Sequence, residues 1–216
     1  IFSGNFLEAF KELQKFGSGL TFNGGLICAL IFIGIYIYRK KLNFLFLADI
    51  ITPYILLGHG IGRIGCFLVG DDYGIPSKLP WAISFPNGLP ATNIVDFQNN
   101  FPFLNYSVDQ LKYYLIDGSD SIISVHPTQI YEMTLYFIGF IFIKYVYSKR
   151  TNVMGSCFSM YLIIGGSARF LVEILRTNQR YFLNLSSAQY ISLIMVLSGI
   201  FLMTYFLKKD IISGKN

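Results

Sequence analysis

The chain has 216 residues, 53% of them hydrophobic and only 13% charged, a balance too apolar and charge-poor for an ordinary soluble domain. Its net charge of +5 comes without a lysine-rich run or a basic–aromatic patch, which argues against a nucleic-acid partner. Cys28, Cys66 and Cys157 are too widely spaced for a metal cluster or a disulfide framework and read as buried packing residues. The expected fold class is an all-α polytopic membrane protein with about four to five transmembrane helices and a small extracytoplasmic head or loop region, organised as one membrane domain over 1–216.

Residues 1–18 repeat Phe6, Leu7, Phe10, Leu13 and Phe16 at helical steps opposite Glu8, Lys11, Glu12 and Lys15, the pattern of an amphipathic surface helix. The chain starts at Ile1 and shows no signal peptide, so further residues are expected upstream. The apolar run 24–38 ends in Arg39, Lys40 and Lys41, which marks a cytoplasmic end. The run 43–69 contains Asp49 and Pro53 and is expected to break or kink there. Residues 70–125 hold many aspartates and prolines and read as turns and short extended pieces of an extracytoplasmic head. HPTQIYE opens the next helix, with Pro127 at its first position and Lys149 and Arg150 at its end. A span over 155–176 and a last one over 188–207, ended by Lys208 and Lys209, complete the order.

Two polar concentrations interrupt these apolar runs. The first, HGIGRIGCFLVGDDYG (59–74), packs Arg63, His59, two aspartates and five glycines into sixteen residues at a membrane boundary. An arginine at bilayer depth costs about 2.5–3.5 kcal/mol on insertion scales and marks a candidate site. Beside glycines, its planar fork of donors suits an anionic headgroup; the alternative is a snorkelling arginine among small packing residues. The second is Arg169, Glu173 and Arg176, spaced to share one helix face, with the two arginines on the order of 10 Å apart along the axis. This stripe reads either as a structural ion pair or as a clamp for a lipid phosphate that Arg63 approaches. His126 reads either as a helix cap or as an acid/base group.

Four stretches resemble, in order, the prolipoprotein diacylglyceryl transferase family of the bacterial inner membrane. They are LTFNGGL, GRIGCFLVGDDYG (against Gly-Arg-x-Gly-Asn-Phe ending in glycine), HPTQIYE (against His-Pro-Ser-Gln-Leu-Tyr-Glu) and ARFLVEILR with AQYISLIMVLSG. The resemblance runs from about residue 18 over nearly the whole chain, and implies that one or two family spans precede Ile1. It implies transfer of a diacylglyceryl group from phosphatidylglycerol to the lipobox cysteine thiol of a preprolipoprotein, releasing glycerol phosphate. It implies a monomeric, multi-pass protein of the plasma (inner) membrane that uses no metal and no organic cofactor. Arg63 and Arg169 would bind the phosphate, Arg176 would line or gate its outer end, and Gly62, Gly65 and Gly74 would shape the pocket. Glu173 would support the site, while Gln129, Tyr131 and Glu132 match a motif without a firm role.

The sequence also departs from the family. The family's histidine before Gly-Gly-Leu, a candidate base for the thiol, is Asn23; the signature asparagine is Cys66; a later asparagine and glutamate are Val69 and Asp71; a tyrosine is Gly165. The catalytic candidates are therefore His126, Asn23, His59 and Glu173, with either histidine able to stand in as base. Two other readings are a non-catalytic lipid-binding membrane protein and a related transferase with a different acceptor. A transporter fits less well, because the polar residues cluster on one face and no internal repeat is visible.

Overall fold

The structure, a computed structural model, describes residues 28–29 and 31–212. The amphipathic segment 1–18, the LTFNGGL stretch and Asn23 lie outside the described residues. The chain divides into a unit over 1–47, within which residues 31–39 are helical, and a larger unit over 48–216. The larger unit is all-α and carries the site.

The helix α1 (Phe44–Val69), most of which belongs to this unit, runs unbroken through Pro53. The expected break does not occur. A membrane helix tolerates proline where neighbouring groups satisfy the disturbed carbonyls, and the Thr52 hydroxyl donates to the Ala48 carbonyl at 2.5 Å beside the gap. Thr52 and Pro53 are both buried against the rest of the unit. Asp49, the other residue expected to interrupt this run, is used as a cap. Its carboxylate accepts from Gly155 N at 2.6 Å and Phe158 N at 2.9 Å, the free backbone donors that open α5 (Ser156–Glu173).

Residues 70–125 form a small head with more helix than the sequence suggests. The helices α2 (Ile94–Asn100) and α3 (Val108–Lys112) are each one or two turns long, with a 3-10 turn at Pro102–Leu104 between them. Their starts carry strong caps: Asn93 accepts from Asp96 N at 2.7 Å, and Ser107 and Gln110 form a reciprocal capping box. Tyr73, Ile94, Phe97, Leu111, Ile123 and Val125 make a core of their own, with Tyr73 stacked on Phe85 at 5.8 Å.

α4 (Thr128–Ile141) continues as a π-helical turn over Phe142–Tyr147, and α6 (Ser187–Ile212) closes the chain. Pro127 stands at the cap of α4, one position earlier than expected. Among the described residues, α1, α4 with its extension, and α6 are long and apolar enough to cross a membrane. α5 carries several glycines and serines and the Arg169–Glu173 pair, which dilute its hydropathy. It lies against α6 through small residues. A side chain at Gly166 would press on the Ser192 carbonyl, and one at Gly199 on the Ser159 carbonyl, each at 2.9 Å.

Candidate functional site

Three elements converge at one end of the helices: the last two turns of α1, the start of α4 and the end of α5. Short extended pairings lock them together. Gly74 N donates to His126 O at 2.9 Å, Ile75 N to Leu175 O at 2.8 Å and His126 N to Ile75 O at 3.1 Å. Gly74 is fixed in this seam: a Cβ there would meet the Leu175 carbonyl at 2.5 Å and the Thr128 methyl at 2.7 Å. Its role is close packing of the backbones that carry the site. Gly62 and Gly65, by contrast, face open space.

At this junction the structure gathers three arginines and three carboxylates. Glu132, 1% exposed on α4, is the hub. Its Oε2 lies 3.0 Å from Arg63 Nε, 3.2 Å from Arg169 Nη1 and 3.9 Å from Arg176 Nη1. The Tyr136 hydroxyl, one turn on, donates to its Oε1 at 2.8 Å. Arg63 Nη1 also donates to Asp72 at 2.7 Å, and Arg176 pairs with the other oxygen of that carboxylate. Glu173 Oε2 faces Arg169 Nη2 at 3.2 Å without hydrogen-bond alignment, and its Oε1 accepts from Asn178 at 2.6 Å and Ser186 at 2.7 Å. Buried charge is costly unless paired and hydrogen-bonded, and this network pairs every member.

The stripe read from the sequence therefore exists, with one difference. α5 ends at Glu173, so Arg176 reaches the cluster from the extended chain beyond it, where it bridges Gly74. Arg63 joins through Glu132 and Asp72. The sequence alone gives neither carboxylate a firm role. Glu132 stands in a motif, and the tyrosine four residues on is the signal that a buried acceptor is being satisfied. Asp72 has a left-handed backbone (φ 57°) just past α1, a local conformation that no spacing rule exposes.

Burial pushes the Asp72 carboxyl up, but Arg176 and Arg63 outweigh it and hold it below the usual carboxylate range. Burial also draws the Arg176 guanidinium down, reinforced by Arg169 and opposed by Asp72. The main chain around Asp72 is pinned: the Thr128 hydroxyl donates to its carbonyl at 2.7 Å and the Gln129 amide to that of Asp71 at 2.5 Å.

The histidines lie differently. His126 does not cap α4; its Nδ1 is 3.2 Å from the Tyr131 hydroxyl, which accepts from Trp81 Nε1 at 2.7 Å. No hydrogen bond joins this relay to the arginines among the described residues. Burial pushes the His126 imidazole below its ordinary value, so it is neutral at pH 7. His59, on α1 one turn before Arg63, packs its ring 5.5 Å from that of Tyr136. Cys66 Sγ lies 3.5 Å from Arg63 Nη1. Cys66, Asp71 and Asp72 offer ligand atoms close together, but Arg63 borders the group, and a bound cation would meet its charge.

Guanidinia held in fixed positions at a membrane boundary can bind a phosphate through two-pronged, charge-assisted hydrogen bonds. Comparison with known proteins shows what the chain is similar to. The family model described as prolipoprotein diacylglyceryl transferase matches residues 2–205. A Finegoldia magna protein named phosphatidylglycerol–prolipoprotein diacylglyceryl transferase is 35% identical over 198 residues, which cover 92% of this chain and 65% of that protein. Proteins of the same name from Clostridium tetani (33% identity, 91% of this chain, 68% of the relative) and Methylobacillus flagellatus (30%, 88% and 62%) are also similar. The chain spans about two thirds of the length of these relatives.

Proposed function

The chain belongs to the prolipoprotein diacylglyceryl transferase family, and from that premise we propose that it transfers a diacylglyceryl group from phosphatidylglycerol to the lipobox cysteine thiol of a preprolipoprotein. The observation that carries this reading is the convergence of Arg63, Arg169 and Arg176 on one buried carboxylate hub at the end of the apolar helices. The lipid's acyl chains would lie along the spans and its phosphate among the guanidinia. We place the protein as a monomeric, multi-pass protein of the bacterial plasma membrane, with the head on the extracytoplasmic side.

In the reaction the cysteine sulfur, as thiolate, attacks the glyceryl carbon that bears the phosphate ester. A C–S bond forms, the C–O bond breaks, and the electron pair leaves on the phosphate oxygen of glycerol phosphate. Negative charge grows on that oxygen, where Arg63, Arg169 and Arg176 stabilise it more in the transition state than in the bound lipid. Glu132 aims the guanidinia of Arg63 and Arg169, and Glu173 holds Arg169 from the other side. The thiol proton needs an acceptor. His126, neutral at pH 7, has the chemistry for it, as does His59; Asn23 does not. No metal or organic cofactor enters.

A second reading, a lipid-binding protein without transfer, is favoured by one observation, the asparagine at position 23 where the family carries histidine. The experiment that decides supplies labelled phosphatidylglycerol and a lipobox peptide to the intact protein in nanodiscs, with mass spectrometry of the products. The transferase reading expects the thioether and glycerol phosphate together. Glycerol phosphate without modified peptide assigns a different acceptor. Lipid bound with neither product assigns the non-catalytic reading.

A further inference from the structure

The arginines of the cluster are already neutralised. Arg63, Arg169 and Arg176 face Asp72, Glu132 and Glu173, three charges against three. A phosphate entering this network must displace one carboxylate or leave an excess of negative charge. The three carboxylates are not equally able to yield. Glu132 and Glu173 are each 1% exposed, sit on helices, and satisfy further donors: Tyr136 in one case, Asn178 and Ser186 in the other. Turning either away would strand those donors in the interior. Asp72 has a side chain 39% exposed, and its carboxylate hydrogen-bonds, among the described residues, only to Arg63 and Arg176. Its peptide is held by Thr128 and that of its neighbour by Gln129, so its side chain can swing to solvent without moving the loop.

We propose that Asp72 is an internal counter-anion: it occupies the place between Arg63 and Arg176 and yields it to the headgroup phosphate. This inference rests on the reading that the cluster takes phosphatidylglycerol. It gives Asp72 two effects. The carboxylate keeps two guanidinia in position before the lipid arrives, and it competes with every anion for them. Its return to the pair opposes rebinding of glycerol phosphate and so speeds release of that product. The arginines on either side keep Asp72 ionised throughout the physiological range.

The test compares the wild type with Asp72→Asn, as intact protein in nanodiscs. The Michaelis constant for phosphatidylglycerol and the inhibition constant for added glycerol phosphate are both measured. Removing the competing charge is expected to lower both by about tenfold or more, the lower end of the scale for a close charge pair. Values that stay the same or rise would overturn the proposal, because a carboxylate that only braces the arginines predicts weaker binding when lost. A wild type that forms no product sinks the transferase reading instead. The competition is then read from glycerol phosphate binding by calorimetry, where tighter binding to Asp72→Asn supports the proposal and equal or weaker binding overturns it. Should the variant not fold, a structure of the wild type in phosphatidylglycerol nanodiscs decides. A phosphate on Arg63 and Arg176 with Asp72 turned away supports the proposal; lipid bound with Asp72 still on Arg63 overturns it.

Discussion

At the scale of single residues, Glu132 carries the most consequence. It is buried, it aims Arg63 and Arg169, and its loss leaves both guanidinia short of their main partner. Glu132→Ala is expected to cost about 3–5 kcal/mol of stability and to abolish lipid-dependent activity, checked by unfolding in detergent and by product formation. His126 makes a prediction of the opposite kind. Burial lowers its folded pKa, so the fold favours the neutral ring. Stability is therefore full above the ordinary histidine value of about 6.5 and is lost as pH falls below it toward the folded value. The wild type should lose more thermal stability between pH 7.5 and 5 than His126→Gln does; equal losses would remove His126 as the cause. Arg63, Arg169, Glu173 and Arg176 were legible in the sequence because charged residues in apolar runs stand out at helical spacing. Glu132 and Asp72 were not, because a carboxylate's role as a shared partner depends on which helices and loops meet, and Asp72 depends as well on a left-handed turn.

At the scale of elements, polar residues inside the spans serve helix ends and contacts. Asp49 read as an interruption of α1, yet it caps α5 through two backbone amides. Asp49→Ala is expected to cost about 1–2 kcal/mol, measurable as a lower unfolding midpoint with the product profile unchanged in kind. Helix order and the start of α4 near Pro127 followed from hydropathy and capping chemistry. The passage of α1 through Pro53 did not, since proline's penalty in water does not transfer to a buried membrane helix. In the head, α2 and α3 were hidden because one- and two-turn helices leave almost no periodic signal, although the Asn93 and Ser107 caps were readable.

At the scale of the whole molecule, the unit over 48–216 joins an apolar bundle to a head with its own aromatic core, and the charged cluster sits where the two meet. A lipid substrate has the same two-part chemistry, with long apolar chains and an anionic head. The central claim is that this junction takes the phosphate through the arginine of α5. The most direct measurement is the affinity of the intact protein for phosphatidylglycerol, by native mass spectrometry, in the wild type and in a folded Arg169→Ala variant. Binding in the variant is expected to be at least about tenfold weaker than in the wild type, since a charge-assisted pair is worth about 1.5–3 kcal/mol. Unchanged affinity in a folded Arg169→Ala protein would contradict it.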